Sequence, residues 1–276
     1  RRPPRSTPFP TRRSSDLDKL TGVIMNIKKI VISSLGVFMC ASTSFGDAHG
    51  THWGYTGHEG PANWGDLSSD YSLCKSGKNQ SPINIASDVT IESRELEKIG
   101  FDYAADISSV INNGHTIQVN FEKGSTVALD GMMFSLIQFH FHTPSENQIE
   151  GKNFPLEGHF VHAAKDGSLA VVALMFEDGA ENPFIKKVWA KMPRKAGGKE
   201  SLDIKAQEIN ALLPKEKNYY RFSGSLTTPP CSEGVRWIVL KEYATISKEQ
   251  TKEFLELFHH ANNRPVQNIN ARKVMK

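Results

Sequence analysis

Short runs rich in β-branched and aromatic residues recur along the chain between residues 116 and 240. Turn-forming segments with glycine, such as NNGH and KDGS, separate several of them. Runs of this length and composition, bounded by turn residues, are typical of β-strands. They predict strands at TIQVNF (116–121), STVALD (125–130), SLIQFHFH (135–142), GHFVHA (158–163), LAVVALMF (169–176) and VRWIVL (235–240).

Helix signals are fewer. The segment SKEQTKEFLELFHHA begins with Ser247, a favoured N-cap residue, and has Gln250 at the third helical position. It predicts a helix with apolar residues at 254, 255 and 258. The segment NPFIKKVWAKM predicts a second helix over 182–192. Because strands outnumber helices, the pattern predicts a β-rich architecture with peripheral helices.

The first 48 residues differ from the rest of the chain. Residues 1–24 carry six Arg or Lys and no apolar periodicity, which is typical of a disordered basic tail. Alternatively the segment is non-native, because the run STPFPTRRSSDL resembles translated sequencing-adapter DNA; in either case no fold is predicted for it. Residues 25–48 show a basic start, a 12-residue apolar run and then small residues, the layout of a secretory signal peptide. An uncleaved anchor is the alternative, although a bilayer-spanning helix needs about 20 apolar residues.

Residues 49–276 contain no internal repeat and no long linker, which predicts a single domain. The chain has 276 residues, 38% of them hydrophobic, an ordinary globular composition. The formal charge of +3 comes from the first 48 residues, because the remainder holds 25 basic and 27 acidic residues. With no basic stripe, this balance argues against a nucleic-acid partner.

Cysteine usage predicts one disulfide. Removal of Cys40 with the signal peptide leaves Cys74 and Cys231, an even number in an exported and therefore oxidising context. Two free, buried thiols are the alternative.

Histidines cluster in the segment QFHFHTPSENQIEGKNFPLEGHFVHA (138–163). Side chains alternate between the faces of a strand, so His140 and His142 share one face with Gln138. Ile137 and the two phenylalanines next to these histidines are predicted to point to the opposite face, toward the core. One face is thus polar and the other apolar.

The same rule applies to the next predicted strand. It places Glu157, His159 and Val161 on one face, opposite Phe160 and His162. If the two strands are antiparallel neighbours, His159 comes to lie beside the two histidines of the first strand.

Three converging imidazoles are typical of a catalytic zinc site, in which water takes the fourth tetrahedral position. Gln138 and Glu157, each two residues from a histidine on the same face, are predicted to accept the outer ring N–H groups. The alternative is that these are ordinary strand histidines held by hydrogen bonds.

A cupin metal site is a further alternative. The segment HFHTPSE satisfies the cupin opening H-x-H-x-x-x-E, which would make Glu146 a metal ligand. The second cupin motif, P-x-G-x-x-H, fits poorly, because His159 directly follows Gly158 in PLEGHF.

The motifs QFHFH, PLEGHFVH and GSLTTPPCSEGVRWIVL resemble those of the α-class carbonic anhydrases, specifically their exported bacterial members. The similarity extends over essentially the whole chain after the signal peptide, through HWGYTGHEGPANW (52–64), NQSPINI (79–85), NNGH (112–115) and NNRPVQ (262–267). It implies a mainly β, single-domain fold around a central twisted, mostly antiparallel sheet with short peripheral helices. The implied activity is the reversible hydration of CO₂ to bicarbonate and a proton by zinc-bound hydroxide, in the periplasm or outside the cell.

The resemblance also assigns roles to individual residues. His140, His142 and His159 match the zinc ligands. Thr227 matches the threonine that accepts a hydrogen bond from the zinc-bound hydroxide and donates its own to a carboxylate, here Glu146.

Substrate and proton sites follow from the same resemblance. CO₂ has no charge and no dipole, so an apolar pocket is expected, and a histidine suits the transfer of the released proton to buffer. The matching proton shuttle is His115. The substrate site is expected to consist of Val161, Val171, Leu226, Thr228 and Trp237. Lining residues are expected at Tyr55, Asn113 and Gln118, the last in place of the asparagine that many family members carry.

The remaining histidines carry no predicted catalytic role. His162 is expected to be structural, because it faces away from the predicted ligands. His49, His52, His58, His259 and His260 are expected at the surface or near a terminus. A catalytically silent binding module of the same family is the alternative to an enzyme, but such proteins typically lack a ligand histidine. No membrane partner is expected after signal cleavage, and the sequence does not decide between a monomer and a homodimer.

Overall fold

The structure is a computed structural model that describes residues 51–94 and 96–276. The predicted basic tail over 1–24 and the predicted signal peptide over 25–48 lie outside the described residues. Within them, the chain is mostly β, with few and short helices.

Fifteen strands occur in the described residues. They are β1 Asn84–Ile85, β2 Thr90–Ile91, β3 Gly100–Asp102, β4 Ile107–Asn112, β5 Ile117–Phe121, β6 Thr126–Leu129, β7 Met132–His142, β8 Gln148–Ile149, β9 Leu156–Ala163, β10 Leu169–Asp178, β11 Lys199–Ile204, β12 Tyr219–Ser225, β13 Glu233–Leu240, β14 Ala244–Ile246 and β15 Val274–Met275. The α-helices are α1 Trp64–Leu67, α2 Leu73–Ser76, α3 Pro183–Trp189, α4 Ala206–Leu212 and α5 Lys248–Phe258. Short 3₁₀ helices span Gly57–Glu59 and Ser69–Tyr71.

Thirteen of these strands form one large twisted sheet. Its main path runs β11-β4-β5-β7-β9-β10-β13-β12-β15-β2, with β6 beside β7, β3 beside β6 and β14 beside β10. Most neighbours are antiparallel; the parallel pairs are β10 with β13, β10 with β14 and β15 with β2. The predicted fold class, a central twisted and mostly antiparallel sheet with short helices, is confirmed.

Each of the six predicted strands is present, with bounds that differ by a few residues. Helix α5 begins where its sequence indicates: the Ser247 hydroxyl accepts the N–H of Gln250, and the Gln250 side chain accepts the N–H of Ser247. Helix α3 is shorter than predicted and starts after Asn182, whose side chain accepts two backbone N–H groups of its first turn.

The two faces of the central sheet pack differently. On one face, Phe139 stacks on Phe160 with ring centroids 3.9 Å apart, and Phe141 contacts Trp189 of α3. Gly158 permits this stack, because a Cβ there would lie 2.4 Å from the ring of Phe139. The opposite face carries a smaller apolar cluster together with the histidines.

The prediction for Ile137 is wrong. Its side chain is 50% exposed, whereas the two phenylalanines that follow are fully buried as predicted. The β7–β9 register shifts between Leu136 and Gln138, which marks a β-bulge at Ile137. A bulge adds one residue to one strand and reverses the alternation of faces. Leu136 and Phe139 therefore both face the core. In a regular strand, two residues three positions apart would point to opposite faces.

Cys74 and Cys231 form the predicted disulfide, across a sequence separation of 157. In the chain-entropy model, closing a loop of this length stabilises the fold by about 4–5 kcal/mol. Among the helices of the described residues, none is both long and apolar enough to cross a membrane.

His162 lies on the core side of β9, away from the other strand histidines, as expected. Its Nε2 is 2.8 Å from the Tyr103 hydroxyl and its Nδ1 is 3.3 Å from the carbonyl oxygen of Ala170. Burial lowers the pKa of His162 from 6.5 to about 4. The ring is therefore neutral in the folded protein at neutral pH.

This buried ring makes stability pH-dependent. Between pH 6.5 and about 4 the unfolded chain binds a proton at His162 that the folded protein does not, so stability falls as the pH falls. In the metal-free protein, we expect the wild type to lose about 3 kcal/mol more over this window than His162→Gln does. Urea denaturation at a series of pH values measures the difference. Parallel stability curves for the two proteins would contradict the prediction.

Candidate metal centre

Two neighbouring strands bring three histidines together. Strands β7 and β9 pair antiparallel, with His140 directly opposite His159. His142, two residues along β7, lies on the same face. The three ring centroids are 4.7 to 5.2 Å apart.

A different acceptor binds the outer nitrogen of each ring. His140 Nδ1 lies 2.8 Å from the side-chain oxygen of Gln138, and His159 Nε2 lies 2.9 Å from Glu157 Oε1. His142 Nδ1 donates to the backbone carbonyl of Asn262 at 2.7 Å. Since these acceptors fix the protonated nitrogen of each ring, the unprotonated nitrogens are Nε2 of His140, Nε2 of His142 and Nδ1 of His159.

This donor set fits a metal ion. One ring nitrogen from each histidine belongs to a group of ligand atoms that all lie within 4.8 Å of one another. His142 Nε2 is buried and has no hydrogen-bond partner, a state that costs free energy unless a ligand satisfies it. Three imidazoles are a set that zinc, among other divalent ions, prefers.

Burial also keeps the three rings neutral, as metal ligation requires. It lowers the pKa of each, and repulsion by the neighbouring histidines lowers it further for His140 and His159. For His142, the hydrogen bond to Asn262 and the charge of Glu157 oppose the effect of burial without reversing it.

Glu157 is held rigidly behind His159. Its Oε2 accepts the backbone N–H groups of Glu146 and Asn147 at 2.7 and 2.8 Å, and its Oε1 accepts the Asn147 side-chain amide at 2.7 Å. Burial raises the pKa of Glu157, while the hydrogen bonds from Asn147 lower it in part. The carboxylate can therefore orient the imidazole without moving.

Glu146 lies beside the ligand nitrogens. Its Oε2 is 3.5 Å from His142 Nε2 and 3.9 Å from His159 Nδ1, and its Oε1 accepts the backbone N–H of Arg264 at 2.9 Å. Burial raises the pKa of Glu146 well above its ordinary value, and hydrogen bonds from the Thr227 side chain and the Arg264 backbone oppose this rise. Glu146 and Thr227 are both buried, and the Thr227 side chain is near enough to lower the pKa of the carboxyl group, whose Oε2 has no hydrogen-bond partner among the described residues.

The expected apolar residues belong to one cluster, and Trp237 of that cluster lies next to the histidine group. Val171 and Trp237 belong to the smaller apolar cluster, and Val161 and Leu226 pack against it. The Trp237 ring centroid is 5.0 Å from that of His159. Thr228 is half-buried, and its carbonyl oxygen accepts the backbone N–H of Cys231 at 2.9 Å.

The expected shuttle residue, His115, is half-buried and stacks on Trp53 with ring centroids 3.8 Å apart. Asn113 holds the turn before it, because its side-chain oxygen accepts the backbone N–H groups of His115 and Thr116. The Tyr55 ring lies 6.5 Å from that of His115.

Gln118, expected to line the site, lies on β5 opposite His140 of β7. Its side-chain amide donates to Asn120 at 2.7 Å, and Asn120 in turn donates to Ser109.

Sequence reasoning missed Asn262 and Arg264. Asn262 binds the His142 ring through its carbonyl oxygen, and its side chain donates to the carbonyl oxygens of His115 and Phe141. The buried guanidinium of Arg264 donates to Gln80, Ser81 and Cys74. The motif NNRPVQ contains both residues and was the available signal, but it specifies no contact by itself.

Comparisons with known proteins place this geometry in context. The sequence profile of the family described as eukaryotic-type carbonic anhydrase matches residues 59–276. A carbonic anhydrase of Pectobacterium carotovorum is 50% identical over 242 residues, which are 88% of this chain and 97% of that protein. A carbonic anhydrase of Neisseria gonorrhoeae is 48% identical over 244 residues, 87% of this chain and 95% of that protein.

A solved structure shows the same fold. The complex of alpha-carbonic anhydrase from Thermovibrio ammonificans with sulfanilamide superposes with a TM-score of 0.79. It is 51% identical in sequence and covers 82% of this chain and all of that chain.

The hydrogen-bonded ligand set predicts graded effects on zinc binding. His142→Ala removes a ligand nitrogen, so we expect the purified protein to retain no stoichiometric zinc. Gln138→Ala removes only the acceptor behind His140, and we expect zinc affinity to fall about 10- to 100-fold. Competition with a chromogenic chelator measures both. His58→Ala, an exposed histidine outside the group, is the control and should bind zinc like the wild type. Full zinc retention by His142→Ala would contradict this ligand set.

Proposed function

This chain belongs to the alpha-class carbonic anhydrase family of enzymes, and we propose that it hydrates CO₂ reversibly at a zinc ion held by His140, His142 and His159. The observation that carries the proposal is the group of three neutral imidazoles, each fixed by its own acceptor and each presenting one free nitrogen. When bound, zinc lowers the pKa of a coordinated water, as is known for carbonic anhydrases as a class, and so supplies hydroxide at neutral pH.

Glu146 and Thr227 orient the attacking oxygen in this proposal. A carboxylate that accepts the hydroxyl hydrogen of Thr227 leaves the threonine oxygen able only to accept. The Thr227 oxygen would then accept a hydrogen bond from the hydroxide that zinc would supply, and so would orient it toward the substrate. Glu146 is suited to this role because the backbone N–H of Arg264 holds it in one position.

The apolar wall binds CO₂. Val161, Val171, Leu226 and Trp237 offer no strong hydrogen bond into the pocket, since the indole N–H of Trp237 is already donated to the carbonyl oxygen of Ser225 at 2.9 Å. An uncharged molecule without a dipole can replace water there more readily than an ion can. Negatively charged bicarbonate is consequently held less strongly by this wall and can leave.

His115 carries the released proton toward solvent. It lies outside the ligand group and is partly exposed, and its ring packs flat against Trp53. An imidazole accepts and releases protons near neutral pH, which suits transfer to buffer. Tyr55, Asn113 and Gln118 line the route in this proposal.

An exported location accompanies the proposal. The disulfide between Cys74 and Cys231 favours an oxidising compartment, which agrees with the signal peptide predicted over 25–48. We therefore propose a periplasmic or secreted enzyme.

The alternatives make different predictions for Glu146. In a cupin-type site Glu146 would be a ligand, yet one of its oxygens is held by Arg264 and the three histidines form the ligand group without it. A silent binding module would need no relay between a carboxylate and a threonine. The burial of Glu146 together with Thr227, whose side chain lowers the pKa of that carboxyl group, favours the enzyme.

Glu146→Gln separates these possibilities. We expect the wild type to bind one zinc and hydrate CO₂, and the variant to retain zinc while kcat falls by at least about 100-fold, because the relay is lost. Zinc analysis and stopped-flow CO₂ hydration measure both quantities. Glu122→Gln, an exposed carboxylate, is the matched control.

Release of zinc by Glu146→Gln would favour the cupin interpretation. Unchanged turnover would exclude the proposed relay, and a wild type with zinc but without hydration activity would favour the silent module.

A further inference from the structure

His260 lies at the surface, as its sequence predicts, but its ring also contacts an aromatic residue next to the site. Its ring is half-buried and packs against Tyr55, with ring centroids 6.1 Å apart and planes tilted by 38°. The same Tyr55 ring lies 6.5 Å from the ring of His115. One aromatic side chain is thus shared by the proposed shuttle and by a second imidazole.

Tyr55 is itself held firmly. Its ring contacts Trp53 and Trp64 edge-on, with centroids 5.7 and 5.8 Å away. Burial, and then the charge of Glu146, raise the pKa of Tyr55 well above its ordinary value. The phenol stays protonated and neutral at any pH near neutrality, so it does not take a proton away from the two imidazoles beside it.

The loop that carries His260 is anchored to the site. Asn262, two residues later, donates through its side chain to the carbonyl oxygen of His115 at 3.0 Å. The same side chain accepts the backbone N–H of Thr143 at 2.8 Å, next to a proposed metal ligand. The loop that carries His260 is therefore tied to the backbone of His115, which keeps the two residues near each other.

Hydrogen bonding also defines which nitrogen of His260 is basic. Its Nδ1 lies 2.9 Å from the carbonyl oxygen of Ala261, and a carbonyl only accepts, so Nδ1 carries the hydrogen. Nε2 is left as the basic nitrogen, and it makes no hydrogen bond to any residue in the described part of the chain.

The charged surroundings of this ring are balanced. It lines a surface depression of about 340 Å³ whose ionisable side chains are Lys252 and Glu256 of α5 and the neighbouring His259. From the other side it faces Tyr55 and, beyond it, His115.

We propose that His260 is a second proton-accepting residue at the mouth of the site, which receives protons from His115 through intervening water and releases them to buffer. The inference rests on the proposed function. Each CO₂ hydrated releases one proton; His115 takes it up and passes it on, and Nε2 of His260 binds and then releases it. The step consumes no other reactant.

Kinetics in dilute buffer test the relay. We expect His260→Gln to lower kcat for CO₂ hydration about threefold in dilute buffer, with kcat/KM unchanged, because only the export of protons is affected. A high concentration of imidazole buffer should restore kcat. His259→Asn is the matched control: it removes the adjacent imidazole, and asparagine tolerates the positive φ of 60° at that residue.

Two comparisons keep this test separate from that of the proposed function. His115→Ala must lower kcat in dilute buffer by more than His260→Gln does. If kcat in dilute buffer falls in His115→Ala but equals the wild-type value in His260→Gln, the relay through His260 is refuted while the proposed function stands. If the wild type does not hydrate CO₂ at all, the proposed function fails.

A spectroscopic measurement is independent of activity. ¹⁵N NMR of the histidine rings in alkaline buffer should show His260 in the Nδ1–H form, with Nε2 as the basic nitrogen. The Nε2–H form would overturn the proposal, because it would leave no acceptor facing solvent.

Discussion

The antiparallel pairing of β7 with β9 is the constraint on which the site depends. It places His140 opposite His159, and His142 lies two residues further along β7 on the same face. The bulge at Ile137 makes this compatible with the core, because it lets Leu136 and Phe139 both point inward while Gln138 and the histidines point to the other face. A one-residue slip in this register would bury the imidazoles in the phenylalanine core.

Two buried imidazoles, His142 and His159, and the partly buried His140 are tolerated because every outer nitrogen has a hydrogen-bond acceptor. The acceptors come from the same strand for His140 and His159, and from a carbonyl more than a hundred residues away for His142. Glu157 connects the metal ligands to Glu146, because the carboxylate that orients His159 also accepts backbone N–H groups of the turn that carries Glu146. Glu157, which positions a ligand, and Glu146, which is proposed to orient the nucleophile, are therefore joined by hydrogen bonds. The backbone N–H of Arg264, near the C-terminus, donates to Glu146 as well.

Much of this arrangement could be predicted from the sequence, because strands and ligand spacing are local properties. The period-2 pattern indicates β7 and β9, and the two faces of β9 are as predicted. The bulge was not predictable in this way, since the run SLIQFHFH carries no glycine or other turn signal at Ile137. Asn262 and the contact of His260 with Tyr55 also escaped prediction, because these contacts join residues far apart in the chain.

The central claim is that three imidazole nitrogens hold one zinc ion and leave a fourth position for water. X-ray absorption spectroscopy at the zinc edge of the purified protein tests it most directly. The account predicts four light ligands, three of them imidazole nitrogens, at about 2.0–2.1 Å, with the multiple-scattering pattern of histidine rings. A shell of five or six ligands, a sulfur ligand, or only two histidines with a carboxylate would contradict it.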